Sequence, residues 1–484
     1  MSVAIERGAA GAAEPARQEP FARAAPILGA ALLLGASAGF VLATVLTITR
    51  ALAIPAGPWW IALAQAHGHT QLYGWAGLFI VGVALHFLPR LRGAPLAYAR
   101  AVPALLVALV AGLVLRILAQ PLAAWTGAAF WRWLLPVSGA LEGGALLGFV
   151  VLLALTAWRG PPLHTRPALM SVLPFVVCAW IALALAAITN LVNVAGMAPP
   201  RALATPTGLV ASAGDSLNVT LGLLGFLVPM ALAMSARSLP MYAGLDAFPR
   251  RVLWPLAGVY LAGVALMVLG TLVPIGAVVG GGMALIGAAL VGFVAIFLRL
   301  MRTRGRLPQR VAELAPAPRD VARAYRTRVS AEAQQYGPFV ALIASAYLWA
   351  VLGGLLLLLD GAALLFGGQP PVPLDAARHS LAAGFIALLL CGVAPRMVPG
   401  FSGGAIRSAA LVRATLWLGN VAAALRVGSV LLGSALAAAG EAGAIIDRTL
   451  FGLSGPLGLA LAICLAVNLW PALWPARKQS ARAA

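Results

Sequence analysis

The sequence predicts an all-α membrane protein of about twelve transmembrane helices, with three four-helix repeats in a pseudo-threefold arrangement. Three observations lead to this fold class. Of the 484 residues, 62% are hydrophobic and only 10% are charged. The apolar residues form long runs, and one polar motif recurs at matching positions in three of those runs.

The composition excludes several classes of protein. A soluble domain carries roughly a quarter of its residues as charges, so this chain could not cover its surface in water. A large soluble enzyme and a disordered chain are therefore excluded. The formal charge of +20 does not indicate a nucleic-acid partner, because most basic residues lie between the apolar runs. The expected partner is the lipid bilayer.

Twelve apolar runs are long enough for transmembrane helices, each of which needs about 20 residues. The predicted spans are 26–49, 59–89, 101–123, 133–157, 168–195, 211–236, 252–272, 275–300, 338–366, 374–398, 409–438 and 447–472. They divide the chain into a tail (1–25), a first repeat (26–160), a second repeat (166–300), a polar loop (301–337), a third repeat (338–472) and a second tail (473–484).

The distribution of basic residues predicts the orientation. The side of the membrane with the two tails and the loops after the even-numbered spans holds 26 of the 33 Lys and Arg residues, including those at the span ends on that side. Because basic residues accumulate on the cytoplasmic side of membrane proteins, both termini are predicted to be cytoplasmic.

The recurring motif consists of a polar residue, Gly five residues later, His or Arg seventeen later and Pro twenty later. Its copies begin at His69 in span 2, at Thr220 in span 6 and at His379 in span 10. The offsets are 151 and 310 residues from the first copy, and the 310 offset also superposes Arg116 on Arg426. Repeats in spans 2, 6 and 10 predict three four-helix units with the same orientation.

The aligned histidines are the strongest candidates for a cofactor site, because ionisable residues inside a membrane are costly and usually functional. His69 and His379 could provide the two axial ligands of a b-type haem. Arg116 and Arg426 could pair with its propionates, because guanidinium groups bind carboxylates bidentately. Histidines that only hydrogen-bond between helices, and arginines that extend to the lipid headgroups, are the alternatives.

Two further histidines have weaker claims. His67 and His69 point about 200° apart on a helix and cannot ligate one iron from the same side. His67 could instead bind copper, since imidazole suits that metal, or it could face the surface. His86 lies near the cytoplasmic end of span 2, where a headgroup or helix-dipole contact competes with a metal role.

Several other polar residues lie within the predicted spans. A chain of such groups could relay protons or line a polar cavity, although hydrogen bonding between helices is the simpler interpretation. These residues are Glu142, Asn190, Asn193, Asp215 and Asn218.

The histidine motifs resemble those of the NnrS family. The stretch from His67 to Gly74 is similar to the family's H-A-H-E-x-x-x-G motif, and His379-x4-Gly384 with Arg396-x3-Gly400-x2-Gly403 is similar to a later motif. The resemblance implies a bacterial inner-membrane protein with haem and copper, linked to nitric-oxide stress and denitrification. It implies metal or haem roles for the three motif histidines. Phe401 replaces a histidine of that family.

The three-repeat pattern also resembles subunit I of haem–copper oxidases, in which helices 2 and 10 ligate the low-spin haem. Those enzymes need further histidines on helices 6, 7 and 10. Here helix 6 offers Thr220, helix 7 has no histidine, and Ala377 stands two residues before His379. Oxygen reduction by that mechanism is therefore not expected.

Two functions remain open from the sequence. The first is a haem protein that acts in the nitric-oxide response by electron transfer, with a redox partner, or by binding nitric oxide. The second is a transporter or insertion factor whose histidines handle copper or haem in transit.

Overall fold

The computed structural model describes residues 20–198, 208–243, 245–302 and 318–475. These residues are helical apart from their connecting loops and include no β-strand. Most of both predicted tails and part of the predicted polar loop lie outside the described residues; these parts are 1–19, 303–317 and 476–484.

Twelve helices among the described residues are long and apolar enough to cross a membrane, which confirms the predicted all-α polytopic fold. They are numbered here as spans 1 to 12: Phe21–Ala51, Pro58–Arg92, Ala99–Thr126, Ala129–Trp158, Leu173–Gly196, Ser212–Pro240, Arg250–Leu272, Gly276–Arg302, Phe339–Leu365, Leu374–Ser402, Ala409–Leu431 and Gly440–Leu473. Several extend beyond the predicted limits, because a helix continues through polar residues that hydropathy excludes.

Three shorter helices lie between the spans. Leu163–Thr165 is a 3₁₀ turn and Pro167–Met170 is a single α-helical turn, and both connect spans 4 and 5. Pro318–Tyr336, named here the linker helix, precedes span 9. It bonds to span 10 through Glu332, whose carboxylate lies 3.0 Å from the Arg396 guanidinium.

Spans 2, 6 and 10 form the centre of the bundle. In their most apolar 18-residue windows, 78%, 89% and 72% of the residues are buried, against 28–50% in the other nine spans. The peripheral spans form three groups of three. Span 12 packs against spans 11 and 1, span 4 packs against spans 3 and 5, and span 8 packs against spans 7 and 9. The helices that carry the repeated motif are therefore the innermost ones. The exact repeat boundaries stay a prediction.

Each central helix contains a π-helical segment at the motif. These segments are Thr70–Gly77, Thr220–Leu227 and Ser380–Ile386, and their first residues are separated by the same 310 positions between spans 2 and 10. The segment in span 6 contacts both of the others. Because π-helical turns are rare and often lie at functional sites, a functional site is expected at the depth of these segments.

The end of the bundle at which spans 2, 6 and 10 begin is named here face A, and the opposite end face B. Both π segments that follow a histidine begin near face A. The linker helix and Arg396 lie toward face B. The chemistry suggested by the motif therefore belongs to the half of the bundle near face A.

Glycines bring spans 8 and 9 into backbone contact. A Cβ on Gly287 would overlap the Gly354 carbonyl oxygen, and a Cβ on Gly361 would lie 2.7 Å from the Gly280 carbonyl oxygen. Small residues allow such close approach between membrane helices.

We expect Gly287→Ala to lower the free energy of unfolding by about 1–3 kcal/mol, because the added methyl group forces spans 8 and 9 apart. Gly281→Ala on the same helix is the matched control, since its Cβ would meet its nearest described neighbours only at 3.8 Å. Unfolding in mixed detergent micelles measures both. Equal stability of the two variants would contradict the close contact.

Candidate functional site

The two neighbouring histidines of span 2 bond to different helices. His67 Nδ1 lies 2.8 Å from the carbonyl oxygen of Gly39 in span 1. His69 bonds through Nε2 to the Glu142 carboxylate in span 4. Side chains two residues apart on a helix point in nearly opposite directions, so each histidine belongs to a separate polar cluster.

The first cluster joins spans 2, 10 and 11. His67, Asp375, His379 and Arg426 are named here the paired-histidine cluster. His379 Nδ1 lies 3.0 Å from Asp375 Oδ1, and the other oxygen of that carboxylate lies 2.5 Å from Arg426 Nη2. His67 is within electrostatic range of the other three residues. The structure thus brings His67 toward His379, whereas the sequence analysis paired His379 with His69.

The Gly39 carbonyl that meets His67 closes a fourth π-helical segment, Gly35–Gly39. A π-helical turn departs from the regular α-helical hydrogen-bond ladder, and here the last residue of such a segment accepts a bond from another span. The His67 ring is therefore oriented by backbone of span 1. A Cβ built on the adjacent Gly68 would meet no described atom within 4 Å, so space adjoins this histidine.

Both histidines of the paired-histidine cluster are engaged at Nδ1. This leaves Nε2 as the nitrogen that can ligate a metal. The bond at the other ring nitrogen is what sets the tautomer of a metal-binding histidine. The donor set of this cluster therefore matches a pair of oriented imidazole ligands.

Arg426 adds an unused donor to the same cluster. Its Nη1 is buried without a hydrogen-bond partner among the described atoms, although Nη2 binds Asp375. Its guanidinium also lies 4.8 Å from the centre of the Phe451 ring, and that of Arg50 lies 4.6 Å from the same ring. Arg50 bonds to Asp447 at 2.7 Å. A second guanidinium, that of Arg50, therefore lies near the cluster on its face A side.

The second cluster lies among spans 2, 3, 4 and 5. His69, Arg116, Gln120, Glu142 and Asn190 are named here the carboxylate network, and all five are buried. Arg116 donates through Nη1 to Asn190 at 2.7 Å and through Nε to Gln120 at 2.5 Å. Asn190 donates to the same Glu142 oxygen that meets His69. The network therefore provides hydrogen-bond partners within the membrane for a buried carboxylate, that of Glu142, and a buried guanidinium, that of Arg116.

The bonds of Arg116 bear on its predicted propionate role. Two of its donors are used by Asn190 and Gln120, and the negative charge of Glu142 acts on it from nearby. Gln120 continues the network to Gln65, which bonds to the backbone of Val210 at face A. Arg116 therefore serves the interior of spans 2 to 5, and it lies in a different cluster from Arg426.

The remaining predicted polar residues bond between helices. Asn193 donates to the Gly214 carbonyl oxygen at 3.0 Å. Asn218 donates to the Ala186 carbonyl oxygen at 3.0 Å and accepts a bond of 3.2 Å from the Tyr73 hydroxyl. Asp215 is half-buried and interacts electrostatically with Arg378, Arg116 and His69.

His86 lies apart from both clusters. Its ring stacks on Phe401 with centroids 4.1 Å apart and planes at 25°, and it bonds to the Arg90 guanidinium. Phe21 meets the same ring edge-on. The residue that replaces a histidine of the NnrS pattern therefore packs against this imidazole. His86, for which a metal role was predicted, is therefore surrounded by aromatic rings and a guanidinium group.

A copper site at His67 gains no support from the described residues, among which no three His, Cys, Asp or Glu side chains form a metal-binding group. The cysteines at 178, 391 and 464 are free thiols. Copper at His67 stays a prediction.

Sequence analysis missed Asp375, Gln65 and Gln120. A signal for Asp375 was present, because an acid four residues before a histidine lies on the same face of a helix. Gln65 and Gln120 are uncharged, and only their burial within apolar spans distinguishes them.

We expect Glu142→Gln to lower the free energy of unfolding by about 3–5 kcal/mol, because it leaves the buried Arg116 guanidinium without the nearby negative charge of Glu142. Asp447→Asn is the matched control, and it should cost about 0–1 kcal/mol because its partner Arg50 is 47% exposed. Unfolding in mixed micelles measures both. A cost for Glu142→Gln as small as that of the control would contradict the network.

Comparison with known proteins gives a likeness of fold. No protein-family model matches the chain, and no curated protein matches it. Among solved structures, the chain is similar to a haem–copper terminal oxidase dimer determined by cryo-electron microscopy, with 13% identity and a TM-score of 0.60. The similarity covers 94% of this chain and 84% of the oxidase chain. The chain therefore has a haem–copper oxidase-like fold.

Proposed function

We propose that this protein is an integral-membrane haem protein that binds one b-type haem between His67 and His379. The observation that carries the proposal is the paired-histidine cluster, in which histidines from spans 2 and 10 are each bonded at Nδ1. The haem–copper oxidase-like fold supports it, since the similar structure is that of a haem–copper enzyme.

The residues present fit a haem in two respects. A bis-histidine haem needs one Nε2 from each side and a second partner on each ring to hold its orientation. Gly39 and Asp375 act as those second partners. Arg426 retains a buried donor without a partner, and that donor could pair with a propionate.

His67 replaces His69 in this proposal. His69 uses Nε2, the nitrogen that would ligate iron, to bind Glu142 inside the carboxylate network. Arg116 belongs to that same network, so Arg426 is the better candidate for a propionate partner. The side chains of His67 and His69, two residues apart in span 2, point in nearly opposite directions. His67 therefore shares a cluster with Arg426, whereas His69 shares one with Arg116.

Bound haem would supply one-electron redox chemistry. The side chains of this protein would hold the ligand nitrogens, orient both imidazoles and compensate the propionate charge. Two histidine ligands would leave no open position for a gas, which favours electron transfer to or from a redox partner over direct capture of a gas. A role in nitric-oxide response or denitrification rests on the NnrS resemblance.

The proposed location is a bacterial inner membrane with both termini in the cytoplasm. Face B would then be cytoplasmic, which agrees with the basic residues on that side, such as Arg90 and Arg396. The paired-histidine cluster would lie in the outer half of the membrane, and an electron donor would approach it from face A.

Purified wild-type protein should contain one haem b per chain in a pyridine haemochrome assay, with a sharp Soret band. His67→Ala and His379→Ala should each abolish at least nine-tenths of that haem, because each removes an axial ligand. His164→Ala, in a connecting turn, is the control and should retain full occupancy.

His69→Ala distinguishes the two candidate pairings. It should retain haem if His67 is the ligand, although it should destabilise the carboxylate network. Loss of haem in His69→Ala with retention in His67→Ala would return the ligand role to His69. Wild-type protein that purifies colourless, with copper or haem moving across vesicles, would favour the transporter or insertion factor.

A further inference from the structure

The two histidines of the paired-histidine cluster have unequal partners. His67 Nδ1 meets a neutral backbone carbonyl oxygen, that of Gly39. His379 Nδ1 meets the Asp375 side chain at 3.0 Å and the backbone oxygen of the same residue at 3.1 Å. Only one of the two imidazoles is therefore bonded to a charged acceptor.

Asp375 is held for this contact by local structure and by span 11. It lies in the first turn of span 10, four residues before His379, so both side chains share one face of the helix. Arg426 fixes the second carboxylate oxygen at 2.5 Å from Nη2. The Arg426 side chain is 18% exposed and that of Asp375 is 42% exposed. The histidine, the acid and the guanidinium form a continuous chain.

A carboxylate at the distant nitrogen of a ligating imidazole raises the basicity of that ligand. A more basic ligand and a nearby negative charge both stabilise ferric haem relative to ferrous haem, because the ferric state carries one more positive charge. A guanidinium bonded to the carboxylate offsets part of this stabilisation of ferric haem, because it carries the opposite charge. Hydrogen bonding around the axial ligands is one of the means by which proteins set haem potentials.

We propose that Asp375 and Arg426 set the reduction potential of the haem, with Asp375 lowering it and Arg426 raising it. The inference rests on the proposed function, since it requires His379 to be an axial ligand. It assigns these residues a positioning and electrostatic role, distinct from ligation. In this arrangement His379 is the more basic ligand because its partner is a carboxylate. His67 is the less basic ligand because its partner is a neutral carbonyl oxygen.

Redox titration of purified holoprotein tests the proposal. Asp375→Asn keeps the size of the side chain and removes its charge, so the ratio of ferric to ferrous haem at a fixed ambient potential should fall about tenfold. This corresponds to a rise of ~59 mV for a one-electron couple. Asp375→Glu should restore most of the wild-type value.

Arg426→Gln should shift the potential in the opposite direction, by about threefold in the same ratio, because it leaves Asp375 with its full charge. Asp447→Asn is the matched control, since its carboxylate bonds to Arg50 rather than to an imidazole. It should change the ratio by less than twofold. A merely structural role for either residue would not produce shifts of opposite sign.

Two results separate this inference from the function on which it rests. Wild-type protein without haem would overturn the proposed function. Variants that keep full haem occupancy and an unchanged potential would overturn only the role of Asp375 and Arg426. If Asp375→Asn loses haem, redox titration and electron paramagnetic resonance of the Arg426→Gln holoprotein decide, and a potential and g values identical to the wild type would overturn the proposal.

Discussion

Compensation of ionisable groups inside the bilayer is the constraint on which the rest of this structure depends. An uncompensated charge at membrane depth is costly, and span 2 brings two imidazoles to that depth. Each finds a partner on a different neighbouring helix, Gly39 in span 1 for His67 and Glu142 in span 4 for His69. The choice of partners divides the interior near face A into two clusters. One retains a buried Arg426 donor without a partner among the described atoms, and the other uses its buried polar groups in bonds between its own members.

Much of the fold could be predicted because a transmembrane span is recognised from its own sequence, without knowledge of which helices it contacts. Runs of about 20 apolar residues identify spans wherever they occur, and all twelve were located. The motif that begins at His69 and His379 predicted the repeats, whereas the central position of its helices is a finding of the structure. Spans with polar groups and small residues on several faces must be surrounded by protein. A span such as Ala99–Thr126, whose Arg116 and Gln120 lie four residues apart on one buried face, can turn its other faces to lipid.

The site was less predictable because it depends on which helices are neighbours. His69 and Glu142 are 73 residues apart, and no feature of either local sequence indicates that spans 2 and 4 meet at that depth. Alignment of His69 with His379 identified equivalent positions in two repeats, but each of these histidines lies in a cluster with the arginine of its own unit, Arg116 for His69 and Arg426 for His379. Phe401 was interpreted as a missing ligand, whereas it fills the space against His86.

The π segments also determine the direction in which the two parts of a helix present their side chains. Each π turn accommodates an additional residue, and one residue of an α-helix corresponds to a rotation of roughly 100°, so an insertion there turns every later side chain to a new direction. The segment begins one residue after the motif residue in spans 2 and 10 and at the motif residue in span 6, and span 1 has a further segment at Gly35–Gly39. In span 1 the additional residue therefore rotates the part of the helix toward face A relative to the part toward face B, and the backbone acceptor for His67 lies at the end of that segment.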